Sequence, residues 1–184
     1  MYIGTLSMRY AKALLAFANE AGVAAKVYQE ALTLRKSYRQ VAELQKAMET
    51  PVMKSEDKLH VLMQAAGGST TTELQKFFAL VLKEKREKYL PYINQCFIDL
   101  YRKQEKIRVG KLTTAVPIAP EEVERIRNIV VEHAGGTAEF ATKVDPSIEG
   151  GFIFEINTFR LNASVADQMR RIKQQFIEKN RRIV

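Results

Sequence analysis

Apolar side chains recur every three or four residues along most of the first 106 residues of the chain. This spacing places them on one face of an α-helix, which has 3.6 residues per turn. The pattern is interrupted where helices commonly end, at Gly22, Thr50-Pro51 and Gly67-Gly68. The predicted helices cover residues 5–21, 23–39, 41–48, 55–66, about 70–83 and a stretch that begins at Leu90. Residues 1–106 are therefore predicted to form a compact bundle of six helices.

The first helix has two apolar stripes where one is usual. The larger stripe, which is predicted to fill the core, contains Leu6, Tyr10, Ala13, Leu14 and Phe17. The smaller stripe contains Met8, Ala11, Leu15 and Ala18. A surface helix normally has one apolar face and one polar face. Two apolar faces therefore indicate either burial on both sides or a docking site for another helix, whose backbone could approach closely at the alanines.

The fifth helix is apolar over about half of its circumference, at about 100° per residue. Its apolar residues are Leu74, Phe77, Phe78, Leu80, Val81 and Leu82. Thr70 and Glu73 have the spacing of a capping box, which predicts the start of this helix. Two interpretations stay open: a central helix packed on all sides, or a helix with one edge left for a partner. The charged run at residues 83–88 is predicted to be a solvated corner.

The period of the apolar pattern changes at Ile107. Residues 109–118 are rich in Val, Thr and Ile and are predicted to form a strand. Pro120 and the two glutamates after it suit the first turn of a helix that ends at Gly135-Gly136. The buried side of that helix is predicted to contain Val123, Ile126, Ile129 and Val130. Alternation at Phe140, Thr142 and Val144 predicts a second strand.

The stretch that follows is predicted to form a turn, a third strand and the last helix. Gly150-Gly151 can supply a turn with positive φ, and apolar residues then alternate from Phe152 to Ile156. Asn162 or Ser164 could cap the last helix. One side of that helix would carry Val165, Met169, Ile172 and Phe176. The predicted fold is therefore α+β: a six-helix bundle over residues 1–106, then a strand-helix-strand-strand-helix domain over residues 107–184.

The chain carries a formal net charge of +8 over 184 residues. Basic residues are densest in the tail, at Arg170, Arg171, Lys173, Lys179, Arg181 and Arg182. Such a cluster is typical of a solvated helix face or of a surface for an acidic partner. A basic nucleic-acid-binding module is therefore the alternative interpretation of the function. The sequence lacks a long basic block with interleaved aromatic residues, which counts against that alternative.

No residues with the spacing of a catalytic, cofactor or metal site are evident. His60 and His133 lie in different predicted domains, without Cys, Asp or Glu at the spacing of metal ligands. The Gly67-Gly68-Ser69-Thr70 run lacks the lysine of a phosphate-binding loop. Cys96 is the single cysteine and is predicted to be a small apolar filler of the sixth helix. These observations predict no cofactor and give no argument for an enzyme. An enzyme of unknown type stays open as a third interpretation, which would need a pocket with paired titratable groups.

Two further absences bear on location. No apolar run approaches the roughly 18 residues that a membrane-spanning helix needs. The first residues also lack the basic region and long apolar core of a secretory signal. A cytoplasmic location is therefore expected.

Several short segments, taken in order, resemble the delta subunit of F-type ATP synthases, whose mitochondrial relative is the oligomycin-sensitivity-conferring protein. The segments are Arg9-Tyr10-Ala11-Lys12-Ala13-Leu14, the corner with Arg86 and Leu90-Pro91, the Thr-Ala-Val-Pro-Ile run at 114–118, Val-Asp-Pro-Ser-Ile at 144–148, Gly-Gly-Phe at 150–152, and Leu161-x-x-Ser164-Val165. The sequence departs from the family pattern at Asn162-Ala163, where an Asp-Gly pair is usual, and at Thr158-Phe159-Arg160, which replaces a Gly-Asp type of turn.

This resemblance implies a non-catalytic stator subunit. The N-terminal bundle would receive the N-terminal helices of alpha subunits, and the C-terminal domain would hold the b subunits of the peripheral stalk. The chain would lie at the cytoplasmic face of the bacterial membrane, with only indirect membrane contact and no nucleic-acid partner. The residues predicted to bind the alpha helices are Tyr10, Ala11, Leu14, Leu15, Phe77, Leu80 and Val81. On this basis, Ala11→Arg is expected to weaken alpha binding and leave the fold intact.

Overall fold

The chain forms two compact units, of which the first ends at Gln104 and the second begins at Glu105. The computed structural model describes residues 2–125, 128, 138–156 and 159–181. The division lies close to the predicted domain boundary after residue 106. Three predictions fall on residues outside the described ranges: the end of a helix at Gly135-Gly136, the burial of Ile126, Ile129 and Val130, and the surroundings of His133.

The first unit is a bundle of six α-helices, as predicted. The helices are α1 (Tyr2–Glu20), α2 (Ala24–Gln40), α3 (Ala42–Glu49), α4 (Ser55–Ala65), α5 (Thr72–Lys83) and α6 (Leu90–Gln104), with a short 3-10 turn at Glu87–Tyr89 before α6. Helices α1 and α2 both pack against α6, and α4 packs against α5. The largest side chains at the centre of the bundle include Phe78, Phe97, Leu34 and Met48. The apolar periodicity therefore located every helix of this unit to within a few residues.

Glycines end two of these helices as predicted. At the end of α1, Gly22 has a φ of +68°, and the Val23 amide donates to the Ala18 carbonyl at 3.0 Å. At the end of α4, Gly67 has a φ of +118°, and the Gly68 amide donates to the Met63 carbonyl at 2.9 Å. Both are the six-to-one hydrogen bonds of a Schellman motif, which satisfies carbonyls that have no partner within the helix.

The predicted capping box at the start of α5 is wrong. The helix is preceded by Thr71, whose side chain makes no hydrogen bond to the first turn. The Thr71 hydroxyl and amide instead donate to the two carboxylate oxygens of Glu30 on α2, both at 2.8 Å. A charge-assisted pair to a neighbouring helix is stronger than a local neutral cap, so a tertiary contact decided where this helix begins.

The second unit contains a four-stranded sheet and a long terminal helix. Its elements are β1 (Arg108–Thr114), a helical stretch α7 at residues 120–125, β2 (Ala138–Val144), a 3-10 turn (Pro146–Ile148), β3 (Phe152–Ile156), β4 (Phe159–Asn162) and α8 (Val165–Arg181). The strand order is β2-β1-β3-β4. Strand β1 is parallel to β2 and antiparallel to β3, and β3 is antiparallel to β4. The α+β fold class is confirmed.

Two strand predictions in this unit need correction. The first strand ends at Thr114 and not near residue 118, because the backbone bends before Pro117, which has no amide hydrogen for a ladder. The predicted order also missed β4, a four-residue edge strand. Arg160 lies opposite Glu155 in this pair and forms an ion pair with it at 3.3 Å. A short strand whose pairing depends on its neighbour leaves little periodic signal of its own.

Gly150-Gly151 and Ser164 connect the sheet to the last helix. Gly151 has a φ of +72°, and a Cβ atom there would collide with the carbonyl oxygen of Ala163. The Val165 amide donates to the Gly150 carbonyl at 3.0 Å. Of the two predicted caps, Ser164 is the one that acts, since its hydroxyl accepts from the Asp167 amide at 3.3 Å. Asn162 instead accepts from the Ser164 amide at 3.1 Å, which orients the cap.

Candidate partner-docking site

The inward face of α1 is formed by small residues together with Leu14, so the prediction that the larger stripe fills the core holds only for Leu14. The buried positions are Ser7, Ala11, Leu14 and Ala18. Ala11 is 0% exposed, whereas Phe17 and Ala13 of the predicted core stripe are exposed. Helix α1 packs against α6, and small side chains let two helix backbones approach closely. Ala11→Arg would therefore place a charged side chain in the core, so the expectation of an intact fold is wrong.

The outward side of α1 carries the surplus apolar surface. Ile3 is 46% exposed, Phe17 is exposed, and Leu6 and Tyr10 are half-buried. The Tyr10 ring meets the Phe77 ring of α5 edge to face, with the ring centroids 6.4 Å apart. Leu80 lies one turn further along α5 and is 47% exposed. We call these residues the α1–α5 surface: Ile3, Leu6, Tyr10, Phe17, Phe77 and Leu80.

The seven predicted partner-binding residues divide between core and surface. The buried residues are Ala11, Leu14, Phe77 and Val81. Tyr10 and Leu15 are half-buried, and Leu80 is exposed. The structure brings Tyr10 and Phe77 into contact. Their part in docking stays a prediction, and the exposed atoms that a partner could reach belong to Leu80, Tyr10 and Leu15.

Ile3 was missing from the prediction because the first helix was predicted to start at residue 5. The helix in fact begins at Tyr2. Ile3 lies seven residues before Tyr10, which is two helical turns on the same face. The apolar spacing was therefore present in the sequence, but nothing in the pattern distinguished a frayed first turn from an ordered one.

A cavity of about 340 Å³ lies where the start of α1 meets the corner between α5 and α6. It is lined by Ile3, Thr5, Leu6, Arg9, Arg86 and Tyr89. The corner was predicted to be solvated, and Lys83 and Lys85 are indeed exposed. Arg86 and Tyr89 nevertheless form one wall of this cavity, so the corner contributes to a shaped surface beside the α1–α5 surface.

An ion pair beneath this corner connects three segments of the bundle. Lys58 of α4 is 4% exposed, and its Nζ donates to Glu87 Oε1 at 2.8 Å and to the Met48 carbonyl at 2.6 Å. Partial burial raises the pKa of Glu87, but the hydrogen bond from Lys58 and the Lys58 and Lys85 charges leave that pKa below its usual value. Glu87 therefore stays ionised, and its charge is directed toward Lys58.

Helix α8 of the second unit presents an unusual amount of apolar side chain to solvent. Val165, Met169, Ile172, Phe176 and Ile177 are all exposed, and Phe176 is 64% exposed. The first four recur at intervals of four, three and four residues, which is the spacing of a coiled-coil seam. We call these four residues the α8 seam. Arg171 flanks it and forms an ion pair with Asp167 at 2.9 Å.

The described residues give little indication of metal binding, of a membrane span or of a reactive side chain. Among them there is no group of three or more His, Cys, Asp and Glu side chains arranged to hold a metal ion. None of the described helices is long and apolar enough to cross a membrane. His60 is exposed, and Cys96 is half-buried, with a thiol pKa that burial and the nearby Asp99 carboxylate both raise. A raised pKa keeps this thiol protonated and unreactive at neutral pH.

The structure thus defines a protein of two units, with a surplus apolar surface on a helical bundle and another on the last helix. The model of the ATP synthase delta (OSCP) subunit family matches residues 6–176. ATP synthase subunit delta of Phocaeicola vulgatus is 57% identical over 100% of both chains, and that of Bacteroides thetaiotaomicron is 48% identical over 100% of both chains. The chain therefore belongs to the ATP synthase delta (OSCP) subunit family.

A solved structure shares the fold. A chain in the cryo-EM structure of the Toxoplasma gondii mitochondrial ATP synthase hexamer superposes with a TM-score of 0.64 at 23% sequence identity. The match covers 94% of this chain and 97% of that chain. Membership of the family makes this chain a non-catalytic stator component of the peripheral stalk of the F-type ATP synthase, which serves ATP synthesis. Nothing in these findings favours the alternative of a nucleic-acid-binding module.

Proposed function

We propose that this chain connects the catalytic head of the ATP synthase to the peripheral stalk through two separate docking surfaces. The helical unit would bind N-terminal helices of alpha subunits, and the α+β unit would bind the ends of b subunits. Such a link would prevent the head from turning with the rotor, so that proton-driven rotation is coupled to ATP synthesis. The chain would act at the cytoplasmic face of the bacterial membrane, and it would reach the membrane only through the complex.

The observation that carries the alpha-binding proposal is the α1–α5 surface. Its exposed residues come from two helices that are held together by the Tyr10–Phe77 contact. An amphipathic helix binds such a surface by inserting apolar side chains that recur every three or four residues. Burying the exposed part of Leu80 and Ile3 under a partner helix would add apolar contact without any change in the bundle core.

The b-binding proposal is supported by the α8 seam. A seam with 4-3-4 spacing matches the packing of a second helix, since side chains at these positions fit between those of a partner. The seam residues are exposed, so they leave apolar area uncovered that a stalk helix would bury. The two surfaces lie on different units, which suits a protein that joins two partners.

The alpha-binding proposal is tested by calorimetric titration of the chain with a synthetic peptide of the alpha-subunit N-terminus from the same organism. Saturable binding is expected, and Leu80→Glu should weaken it about tenfold or more, because a carboxylate would be desolvated under the peptide. Val52 is 88% exposed, lies between α3 and α4 and is not part of the α1–α5 surface, so Val52→Glu is the matched control. Absence of binding by the folded wild-type chain would refute alpha docking.

The b-binding proposal calls for a separate titration with the C-terminal segment of the b subunit. Phe176→Glu is expected to weaken this binding by about tenfold or more, since large apolar side chains at the centre of an interface dominate its affinity. Gln174 is also exposed on α8, so Gln174→Glu introduces the same charge outside the seam. Equal losses for the two variants would contradict the assignment to the seam.

A further inference from the structure

The corner between α5 and α6 holds the backbone of Arg86 in a defined position. Lys85 has a left-handed φ of +53°, and the Arg86 amide donates to the Val81 carbonyl at 2.9 Å, which closes a Schellman motif on α5. On the other side, the Tyr89 amide donates to the Arg86 carbonyl at 2.9 Å. Arg86 is therefore anchored at both of its peptide groups, while its side chain reaches the cavity wall.

Arg9 reaches the same cavity from α1. The cavity has a volume of about 340 Å³ and is lined by Arg9, Arg86 and four uncharged residues, with no carboxylate among them. Neither arginine forms an ion pair with any other residue in the described parts of the chain. The nearby Glu87 is engaged by Lys58 at 2.8 Å and does not offset these charges.

Two arginine residues that line one small cavity favour an anionic ligand. A carboxylate fits guanidinium geometry closely, because it can accept two parallel hydrogen bonds from one arginine. The rest of the cavity wall is apolar at Ile3, Leu6 and Tyr89. The group that suits both features is a carboxylate side chain flanked by an apolar side chain, as occurs on one edge of an amphipathic helix.

The cavity is continuous with the proposed docking surface for the alpha helix. Ile3 and Leu6 belong both to the cavity wall and to the α1–α5 surface. A helix that covers Leu80 and Tyr10 would therefore have one end over Arg9 and Arg86. This continuity identifies the occupant as part of the same helix and not as a separate small anion.

We propose that Arg9 and Arg86 form a clamp for an acidic residue of the alpha-subunit N-terminal helix, which fixes the register of that helix on the α1–α5 surface. The inference rests on the proposed docking of alpha at this surface. Apolar contacts alone allow a helix to slide by a turn, whereas a single charge contact makes the shifted positions costly. The clamp would also speed association, since complementary charges steer partners together.

The test measures the affinity of the full-length chain for the alpha N-terminal peptide as a function of salt. The affinity of the wild-type chain should fall as the salt concentration rises and then level off at the value that the apolar contacts alone provide. Arg86→Glu and Arg9→Glu should each weaken binding about tenfold at low salt and lose most of the salt dependence. Arg39→Glu makes the same charge change at an exposed position of α2 and should leave the affinity within about twofold.

A charge swap then identifies the partner residue. Each acidic residue of the peptide is replaced by Lys in turn, and one replacement should restore binding to the Arg86→Glu chain. The clamp is overturned if the Arg86→Glu and Arg9→Glu variants both keep the wild-type affinity for the peptide while Leu80→Glu weakens it. That outcome would leave the alpha-docking proposal in place. A wild-type chain that does not bind the peptide at any salt overturns the docking proposal itself.

Discussion

Among single residues, Lys58 shows how a charge can be kept inside a small bundle. Its ammonium group is almost fully buried, and it donates to one carboxylate and one backbone carbonyl. The pair joins α4 to the end of α3 and to the turn before α6. A buried ion pair adds little net stability by itself, but removal of one partner leaves the other poorly solvated.

Lys58→Met is therefore expected to lower the free energy of unfolding by about 2 kcal/mol, because Glu87 would keep a partly buried charge without its partner. Urea denaturation of the purified chain measures this. The double variant Lys58→Met/Glu87→Leu should recover much of the loss. Lys36 is exposed on α2, so Lys36→Met serves as the control, and an equal loss there would contradict the assignment.

The lowered pKa of Glu87 determines how the contribution of this residue to stability changes with pH. A carboxyl group whose pKa is lower in the folded state adds stability above its unfolded-state pKa, and this stability is lost as the pH falls through the folded-state pKa. The stability difference between wild type and Glu87→Gln should therefore be largest at neutral pH and shrink at about pH 3. Urea denaturation at both pH values measures it; a difference that grows in acid would refute the argument.

Gly151 is a residue whose backbone excludes any side chain. Its φ is +72°, and an added Cβ would collide with the Ala163 carbonyl oxygen. Gly151→Ala is expected to destabilise the second unit by about 2 kcal/mol or more, through left-handed strain and this collision. Thermal unfolding followed by circular dichroism measures the change. Gly4 lies in α1 with open space around it, so Gly4→Ala should be neutral or slightly stabilising.

At the scale of elements, helix ends in this chain depend on tertiary contacts as well as on local sequence. Gly22 and Gly67 end α1 and α4 by the usual route. The end of α5 uses Lys85 in the same left-handed conformation, where a side chain is unfavourable. The start of α5 is held by Glu30 from another helix. Local rules therefore explain the ends of α1 and α4, and contacts between elements explain the start of α5.

Lys85→Gly is expected to stabilise the bundle by roughly 0.5–1 kcal/mol, since glycine adopts a positive φ without steric cost. The comparison variant is Lys83→Gly, two residues earlier at the last residue of α5. It should instead destabilise the bundle by a similar amount, because glycine is unfavourable in a helix. Guanidinium denaturation of both variants gives the two signs. If both variants were stabilised, or neither was, the result would show that left-handed strain at Lys85 does not lower the free energy of unfolding.

At the scale of the whole molecule, the two units carry different surfaces. Unit 1 ends at Gln104 and has its own core, and the α1–α5 surface with the Arg9–Arg86 cavity lies entirely within it. The α8 seam belongs entirely to unit 2. The proposed function requires each surface to bind its partner without rearranging the other, and separate cores make this possible.

A fragment of residues 1–104 is therefore expected to fold cooperatively and to bind the alpha N-terminal peptide within about threefold of the full chain. Circular dichroism and calorimetric titration measure these two properties. The fragment should not bind the b-subunit segment, which makes that segment the negative control. A folded fragment that has lost the alpha affinity would place part of the docking surface outside unit 1.

The sequence alone determined the class of fold, the helices of the bundle, the turn at Gly150-Gly151, two candidate caps for the last helix and the resemblance to the family. These features depend on local chemistry: apolar spacing, proline and glycine geometry, and short side-chain hydrogen bonds. Four features were decided only by tertiary structure: the inward face of α1, the contact of Thr71 with Glu30, the pairing of β4, and the cavity shared by Arg9 and Arg86.

The physical reason is that each of these four features depends on a contact between elements. The α1 face, the Thr71 contact and the arginine cavity need partners distant in sequence, whereas β4 needs the adjacent strand β3 to pair with. Both stripes of α1 are apolar, and the alanine side faces inward because α6 packs against α1, where small side chains permit a close approach. Arg9 and Arg86 are 77 positions apart, and only the packing of α1 beside the α5–α6 corner places them on one cavity. Periodicity shows that a helix has a surplus apolar face, and the fold decides which face remains available to a partner.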